Sequence, residues 1–395
     1  MVAVGGGGYP EGFPRASWDG GPRIYADEPI WGLVADRDYD VEGPHDRWRV
    51  TVTVNQGGTE AEAFSAVVYA FQPFDLQGAL LPFLDWGIDF ASPAVVSPGT
   101  GAIYQPLRFT AVSLTDPSVS CTSESRKVVH ARWNRQAAGM GFLDYARANR
   151  IFLTHRKLRY VTPESPEYLT WVAELALDGF PTAYLKCRVF YSSGSVGMLD
   201  LGEVPSTCNI ACGPRQLGLA GGEEVDSYEV FLADAGGEPL SERIAFVVDY
   251  GAYPSRRHLV FRNSLGGFDT LLLTGELSST FEVSGTTSVG YQGGVVKLRK
   301  EAVNVARVVS ARSGALPASD LPYVASELLT TERAFLIEGG AITELVLEDG
   351  TYEPNGDDPS VIDLELNLRA ANVGEATLHP LSMPAPEVPN GIEQG

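Results

Sequence analysis

Cys208 and Cys212 stand four residues apart, a spacing seen in zinc sites, where thiolates close together hold one ion. A tetrahedral site needs two more ligands, and Cys121 and Cys187 are distant along the chain. Unpaired thiols are the expected state, with a local disulfide or a metal pair as alternatives. Asp36-Arg37-Asp38-Tyr39-Asp40 places oxygen ligands at alternate positions, as a calcium loop does. Val41 then occupies the position where such a loop turns on glycine, and Arg47 the position where it needs glutamate, so a solvated turn is expected. Asn355-Gly356-Asp357-Asp358 reads as a hairpin tip. The five histidines, His45, His130, His155, His258 and His379, sit in neither a nucleophile elbow nor a zinc-protease helix. Among 50 acidic residues no carboxylate pair stands out for glycoside hydrolysis. The sequence therefore names no catalytic residue, no metal ligand and no cofactor, and the expectation is a protein that is not an enzyme.

The elements around these residues are strand-like. Trp48, Val50, Val52 and Val54 alternate with polar residues, the period of a half-buried strand, and Asn55-Gln56-Gly57-Gly58 turns the chain toward a return strand over 62–71. Further strands are expected at 104–112, 125–133, 168–175, 184–191, 228–232, 243–248 and 258–261. The last third adds 280–283, 294–300, 304–310, 334–337, 343–347 and 362–368. Two short helices are expected: one over 74–86, where Leu76, Leu80 and Leu84 share a helical face, and one over 321–329, capped by Ser319 or Asp320 with Pro322 in its first turn. Trp18, Trp31, Trp48 and Trp86 cluster early and are expected in the core, with an exposed subset marking a partner surface.

Short strands at about ten-residue spacing, with 43 glycines and 26 prolines, predict a mainly β chain. The expected architecture is several Ig-like or fibronectin-like β-sandwich domains in series with two short helices. At 395 residues more than one core is required. The expected divisions are a flexible N-terminal arm at 1–23, β domains at 24–115 and 116–220, a fibronectin-like segment at 221–280, a C-terminal β domain at 281–379, and an extended tail at 380–395. A net charge of −21 excludes a nucleic-acid partner, because phosphate binding needs clustered Lys and Arg. No apolar run of 18 residues exists, so no membrane insertion is expected, and Met1–Gly8 has neither the basic nor the apolar part of a secretory leader.

One block is distinctive: Arg257-His258-Leu259-Val260-Phe261-Arg262-Asn263-Ser264-Leu265-Gly266-Gly267-Phe268-Asp269-Thr270, followed by Thr274-Gly275. It resembles a signature of tail-associated structural proteins of phages and prophages of Bacteroidetes, and Phe152-Leu153-Thr154, Pro29-Ile30, Gly78 and Leu328-Leu329 fall where that family would place them. By itself the block reads as a turn in which Asn263, Gly266 and Gly267 supply positive φ between two strands, or, alternatively, as a contact loop. The resemblance implies a virion protein made in the host cytoplasm, at the tail tip or baseplate. It would assemble with other virion proteins and copies of itself. A receptor- or glycan-binding adhesin, touching a host surface glycan, and a capsid decoration or head-tail connector protein are the competing readings. Removing residues 1–23 is expected to leave the fold intact and weaken incorporation.

Overall fold

The computed structural model describes residues 15–18, 23–25, 31–35, 47–56, 59–70, 72–76, 80–101, 103–129, 131, 140–177, 181–253, 256–292, 295–354 and 361–370. The calcium-like loop after Asp36, the Asn355 tip, Gly78 and the proline-rich tail lie outside them. The protein is mainly β, and it divides into two compact units: 1–252 with 261–270 and 325–331, and 253–260 with 271–324 and 332–395.

The larger unit begins with β1 (Arg15–Trp18), β2 (Arg23–Tyr25) and β3 (Trp31–Ala35). The long hairpin β4 (Arg47–Gln56) and β5 (Thr59–Tyr69) follows, then β6 (Phe74–Asp75). After β7 (Val96–Ser97) come β8 (Tyr104–Ser113), β9 (Ser120–Thr122) and β10 (Arg126–Val129). One sheet has the order β1-β3-β6 and another β2-β10-β8-β4-β5, with β9 on β8. The alternation read from the sequence is what builds their core: Trp48, Val50, Val52 and Val54 are all at most 1% exposed and pack on Leu107, Phe109 and Phe74. Each such side chain contributes roughly 1.5–3 kcal/mol of burial. Leu76, Leu80 and Leu84 join this core; within the expected helix over 74–86, Phe74–Asp75 is a short strand, Leu80 is helical with its N–H donating to Leu76 O (3.1 Å), and Leu81–Phe83 is a 3-10 turn, while 77–79 lie outside the described residues. Arg15–Trp18 pairs with β3 through four residues, so the expected arm at 1–23 contains a sheet strand, and truncation at residue 23 would remove it.

The second core of this unit is a β-sandwich. After helix α1 (Phe142–Asn149) come β11 (Leu158–Val161), β12 (Tyr168–Val172), a helical turn α2 (Ala173–Ala176), β13 (Ala183–Tyr191) and β14 (Val196–Val204). β15 (Thr207–Ala211), β16 (Val225–Ala233) and β17 (Ile244–Val248) complete it. A five-stranded sheet, β11-β17-β16-β13-β14, faces a three-stranded one, β12-β15-β7, across a shared core that includes Trp171, Leu185, Val189, Ile210, Tyr228 and Phe246. The expected strand over 168–175 therefore ends at Val172. β7, from the first expected domain, hydrogen-bonds β15, and β13 hydrogen-bonds β16. The borders placed at 115/116 and 220/221 cut through this sandwich, because hydrogen-bonded sheets can be completed by strands far apart in sequence. Asn209 reinforces the joint: its Oδ1 accepts from Trp86 Nε1 (3.2 Å) and Thr170 Oγ1 (2.8 Å), and its Nδ2 donates to Gly87 O (2.9 Å).

β18 (Arg257–Arg262) and β19 (Phe268–Leu273) are joined by the distinctive turn. The smaller unit then holds β20 (Leu277–Gln292), β21 (Val295–Arg312), β22 (Leu316–Pro317), β23 (Ala334–Glu338), β24 (Ala341–Pro354) and β25 (Val361–Ala370). Within it the antiparallel order is β23-β24-β25-β21-β20, with β22 on β25. Leu364, Leu366 and Leu368 are fully buried, as the alternation in β25 predicts. The strands expected at 294–300 and 304–310 are one strand of 18 residues. The second expected helix is present as short turns, Ala318–Asp320, Leu321–Tyr323 and Val324–Leu328. Among the described residues no helix is long and apolar enough to cross a membrane.

His258 lies on the smaller-unit part of β18, 6% exposed, and burial, with Arg256 nearby, pushes its pKa down from 6.5 to about 4. Between those values the unfolded chain binds a proton that the folded chain refuses, so stability falls as the pH drops through that window. Full protonation costs roughly 3 kcal/mol at about 1.4 kcal/mol per pH unit. Denaturant midpoints from pH 7 to 4 are expected to fall less steeply in His258→Gln than in the native chain; parallel curves would refute this assignment.

Candidate assembly surface

The turn between β18 and β19 is a buried structural device. Asn263 N–H donates to Gly267 O (2.9 Å), Gly266 N–H donates to Asn263 O (3.0 Å), and Asn263 Oδ1 accepts from the amides of Leu265 (3.0 Å) and Gly267 (3.1 Å). Only Gly266 of the three adopts positive φ, at +82°. Gly267 is needed for a different reason: a Cβ there would stand 2.2 Å from Leu153 O. Asn263 uses its side chain to bind the backbone, with Nδ2 donating to Leu153 O (2.7 Å) and Asp269 Oδ2 (2.8 Å). Asn263, Gly266 and Gly267 are all buried, and Ser264 between them is partly exposed. Phe152-Leu153-Thr154 and the Asn263 block, two segments that carry the family resemblance, thus meet each other.

Beside them lies a buried charge cluster. Arg159, fully buried on β11, donates from Nη1 to Glu167 Oε2 (2.8 Å) and Tyr168 O (3.2 Å). Its Nη2 donates to Thr154 Oγ1 (3.2 Å) and to Asp269 Oδ1. Thr154 Oγ1 in turn donates to Asp269 Oδ1 (2.8 Å). Burial raises the pKa of Glu167, and Arg159 pulls it back. These carboxylates are buried and held by the side chains of Arg159, Thr154 and Asn263, so the cluster joins strands. Ser264 is held by Glu327, whose carboxylate accepts from its amide (2.6 Å) and its hydroxyl (2.9 Å), while His155 Nε2 is 3.8 Å from that carboxylate. A serine hydroxyl donating to a carboxylate is not a serine activated by a histidine base.

Cys121, Cys187, Cys208 and Cys212 are all buried free thiols. Burial pushes Cys121, Cys187 and Cys208 up to about 12 and raises Cys212 well above its ordinary value as well, which denies them thiolate character. Among the described residues no group of three or more His, Cys, Asp or Glu is placed to hold a metal. An open groove of about 490 Å³ is lined by Glu164, Leu219, Glu223, Glu224 and Tyr250, among others. Tyr250 Oη is committed to Val225, accepting from its amide (3.1 Å) and donating to its carbonyl (3.2 Å).

The longest exposed apolar strand surface among the described residues is in the smaller unit. β20 and β21 pair from Leu277↔Ala311 to Gln292↔Val295, whereas among the described residues β25 pairs with β21 over Val308–Arg312. Beyond that point the two strands run on as a ribbon. Phe281 is 62% exposed, Val283 53%, Val289 57% and Val296 55%. Phe281, Val283 and Val289 share one face of β20 by strand alternation. Sequence reading missed this surface because alternation marks which residues share a face but not whether that face is covered. The ribbon's length was hidden as well, since Ser284-Gly285-Thr286-Thr287-Ser288 lacks the apolar content that usually marks a strand.

No family model and no curated protein matches this chain. Among solved structures, the FN1–FN3 domains of chicken CNTN1 align with 75% of this chain and 92% of their own length, at 7% identity and a TM-score of 0.19.

Proposed function

We propose that this chain is a phage virion structural protein, a tail-tip or baseplate component that acts by assembly with neighbouring subunits. The observation that carries the reading is the β20/β21 ribbon. An isolated two-stranded ribbon is at best marginally stable in water, and this one holds large apolar side chains exposed. Covering it with another subunit offsets the cost of ordering it, which is how an assembly protein uses such an element. The meeting of Phe152-Leu153-Thr154 with the Asn263 block supports the same reading, because the segments that resemble the phage family form one buried framework. Immunogold labelling of purified particles tests it: label at the distal end of the tail is expected, whereas label on the head, or none, rejects the assignment.

A further inference from the structure

β20 is an end strand: β21 occupies one side, and among the described residues no strand pairs with the other. An open edge of 16 residues is long, since strands in globular proteins are usually about 5–6 residues. Monomeric proteins blunt such edges with lysine, proline, bulges or inward charges. β20 contains no Lys, Arg or Pro. Its single acidic residue, Glu282, accepts from Arg369 Nη1 at 2.9 Å. The register slips between Ser284↔Asn304 and Thr286↔Glu301, which places the extra residue on β21 and leaves β20 regular. The basic residues of the ribbon, Lys297, Arg299, Lys300, Arg307 and Arg312, are all on β21.

We infer that β20 pairs antiparallel with β20 of a second copy of this chain, joining the two sheets across a two-fold axis at Gly285. The inference rests on the assembly reading above and names its first partner. The charge distribution selects a second copy. Two chains of net charge −21 repel over most of their surface. Along β20, however, the only charge is already compensated by Arg369. Two-fold pairing at Gly285 sets Phe281 opposite Val289 of the second copy and Val283 opposite its Thr287. Aromatic against β-branched, and β-branched against β-branched, are favourable cross-strand pairs. The contact is isologous and closes at two chains. An edge of 16 residues at about 3.3 Å each and about 10 Å deep buries about 1,000 Å² in total, the lower bound for a specific interface.

The test uses the full chain, with its mass in solution measured by light scattering and native mass spectrometry. A dimer is expected. Val283→Lys with Thr287→Lys places like charges across the joint and is expected to weaken the dimer about a hundredfold while leaving the unfolding midpoint close to native. Gly285→Cys is expected to oxidise to a covalent dimer and Ser279→Cys not to, since Ser279 faces Tyr291 in this register; the native thiols are buried and serve as the unreactive background. A chain that is monomeric at its highest soluble concentration, a dimer indifferent to the two lysines, or cross-linking at 279 and not at 285 would each overturn the inference. A monomer that still labels the tail tip defeats this inference alone, and a dimer absent from particles defeats only the virion reading.

Discussion

Replacing Arg159 by methionine is expected to lower the stability of the protein by about 3–5 kcal/mol, the cost of removing one member of a buried ionic group. Arg159 is fully buried, and its guanidinium supplies donors to both Glu167 and Asp269, which are 3% and 0% exposed. Without it both buried carboxyls lose their guanidinium donor. The loss is a large part of the 5–15 kcal/mol that holds a typical domain. Its pH dependence carries the signature. Burial already raises Glu167 above the ordinary value of 4.5, and Arg159 is the main influence that lowers it. Removing Arg159 raises the folded-state pKa further, so the folded variant binds more protons than its unfolded chain. Stability of the variant then falls as pH rises from below 4.5 through the raised value. Urea unfolding at pH 4 and pH 7 should show the deficit growing with pH; an equal deficit at both would show that packing, not charge, is what Arg159 supplies. Adding Glu167→Gln and Asp269→Asn to the same chain is expected to recover part of the loss, because the stranded charges are then gone.

The second large effect is at Gly267. Gly267→Ala sets a methyl 2.2 Å from Leu153 O and 2.8 Å from Leu153 Cβ. Most of that obstacle is backbone, held in place by Leu153 N–H donating to Thr170 O (2.9 Å) and by Asn263 Nδ2 donating to Leu153 O (2.7 Å). Relieving the clash breaks at least the second bond, and the expected loss is about 3 kcal/mol, at the upper end for overpacking. Two other glycines calibrate it. Gly237 has φ +89° with open space around its Cβ position, so alanine there costs about 1 kcal/mol of backbone strain. Gly222 has open space and no positive φ, and alanine there is expected to be neutral. Thermal melts of the three variants should rank Gly267→Ala well below Gly237→Ala, and Gly237→Ala below Gly222→Ala. A Gly267→Ala protein that melts with Gly222→Ala would remove the close approach from the account.

These two residues also mark how far the fold is legible in the sequence. The turn at Asn263–Gly267 is visible because amide and glycine chemistry is local. That Gly267 serves close approach while Gly266 alone serves positive φ is not visible, since Leu153 lies more than a hundred residues away. β11 shows a different limit. Its period of two is plain in Leu158-Arg159-Tyr160-Val161, but hydrophobicity alone would turn Leu158 and Tyr160 inward. They are 48% and 57% exposed, while Arg159 is buried, because Glu167, just before β12, and Asp269 on β19 satisfy it. Helix α1 was missed although Phe142 and Ala146 are both buried at the four-residue spacing of a helix face; it carries no side-chain cap, and its end is set by Arg150 in the left-handed region at φ 51°. By contrast β4 and β25 are strongly patterned strands, and their alternation reads directly onto the core.

In the proposed assembly role the ribbon is the contact element. Its exposed apolar side chains and open edge belong to a segment that, among the described residues, pairs with the rest of the smaller unit at one end, through β25. The most direct measurement is the incorporation of a chain in which residues 284–304 are replaced by a short turn, compared with the full chain in particles assembled from either and scored by immunogold position. The account predicts that the shortened protein folds and stays soluble but is absent from particles, while the full chain labels the distal tail. A shortened chain that enters particles as well as the full one, at the same position, would contradict it.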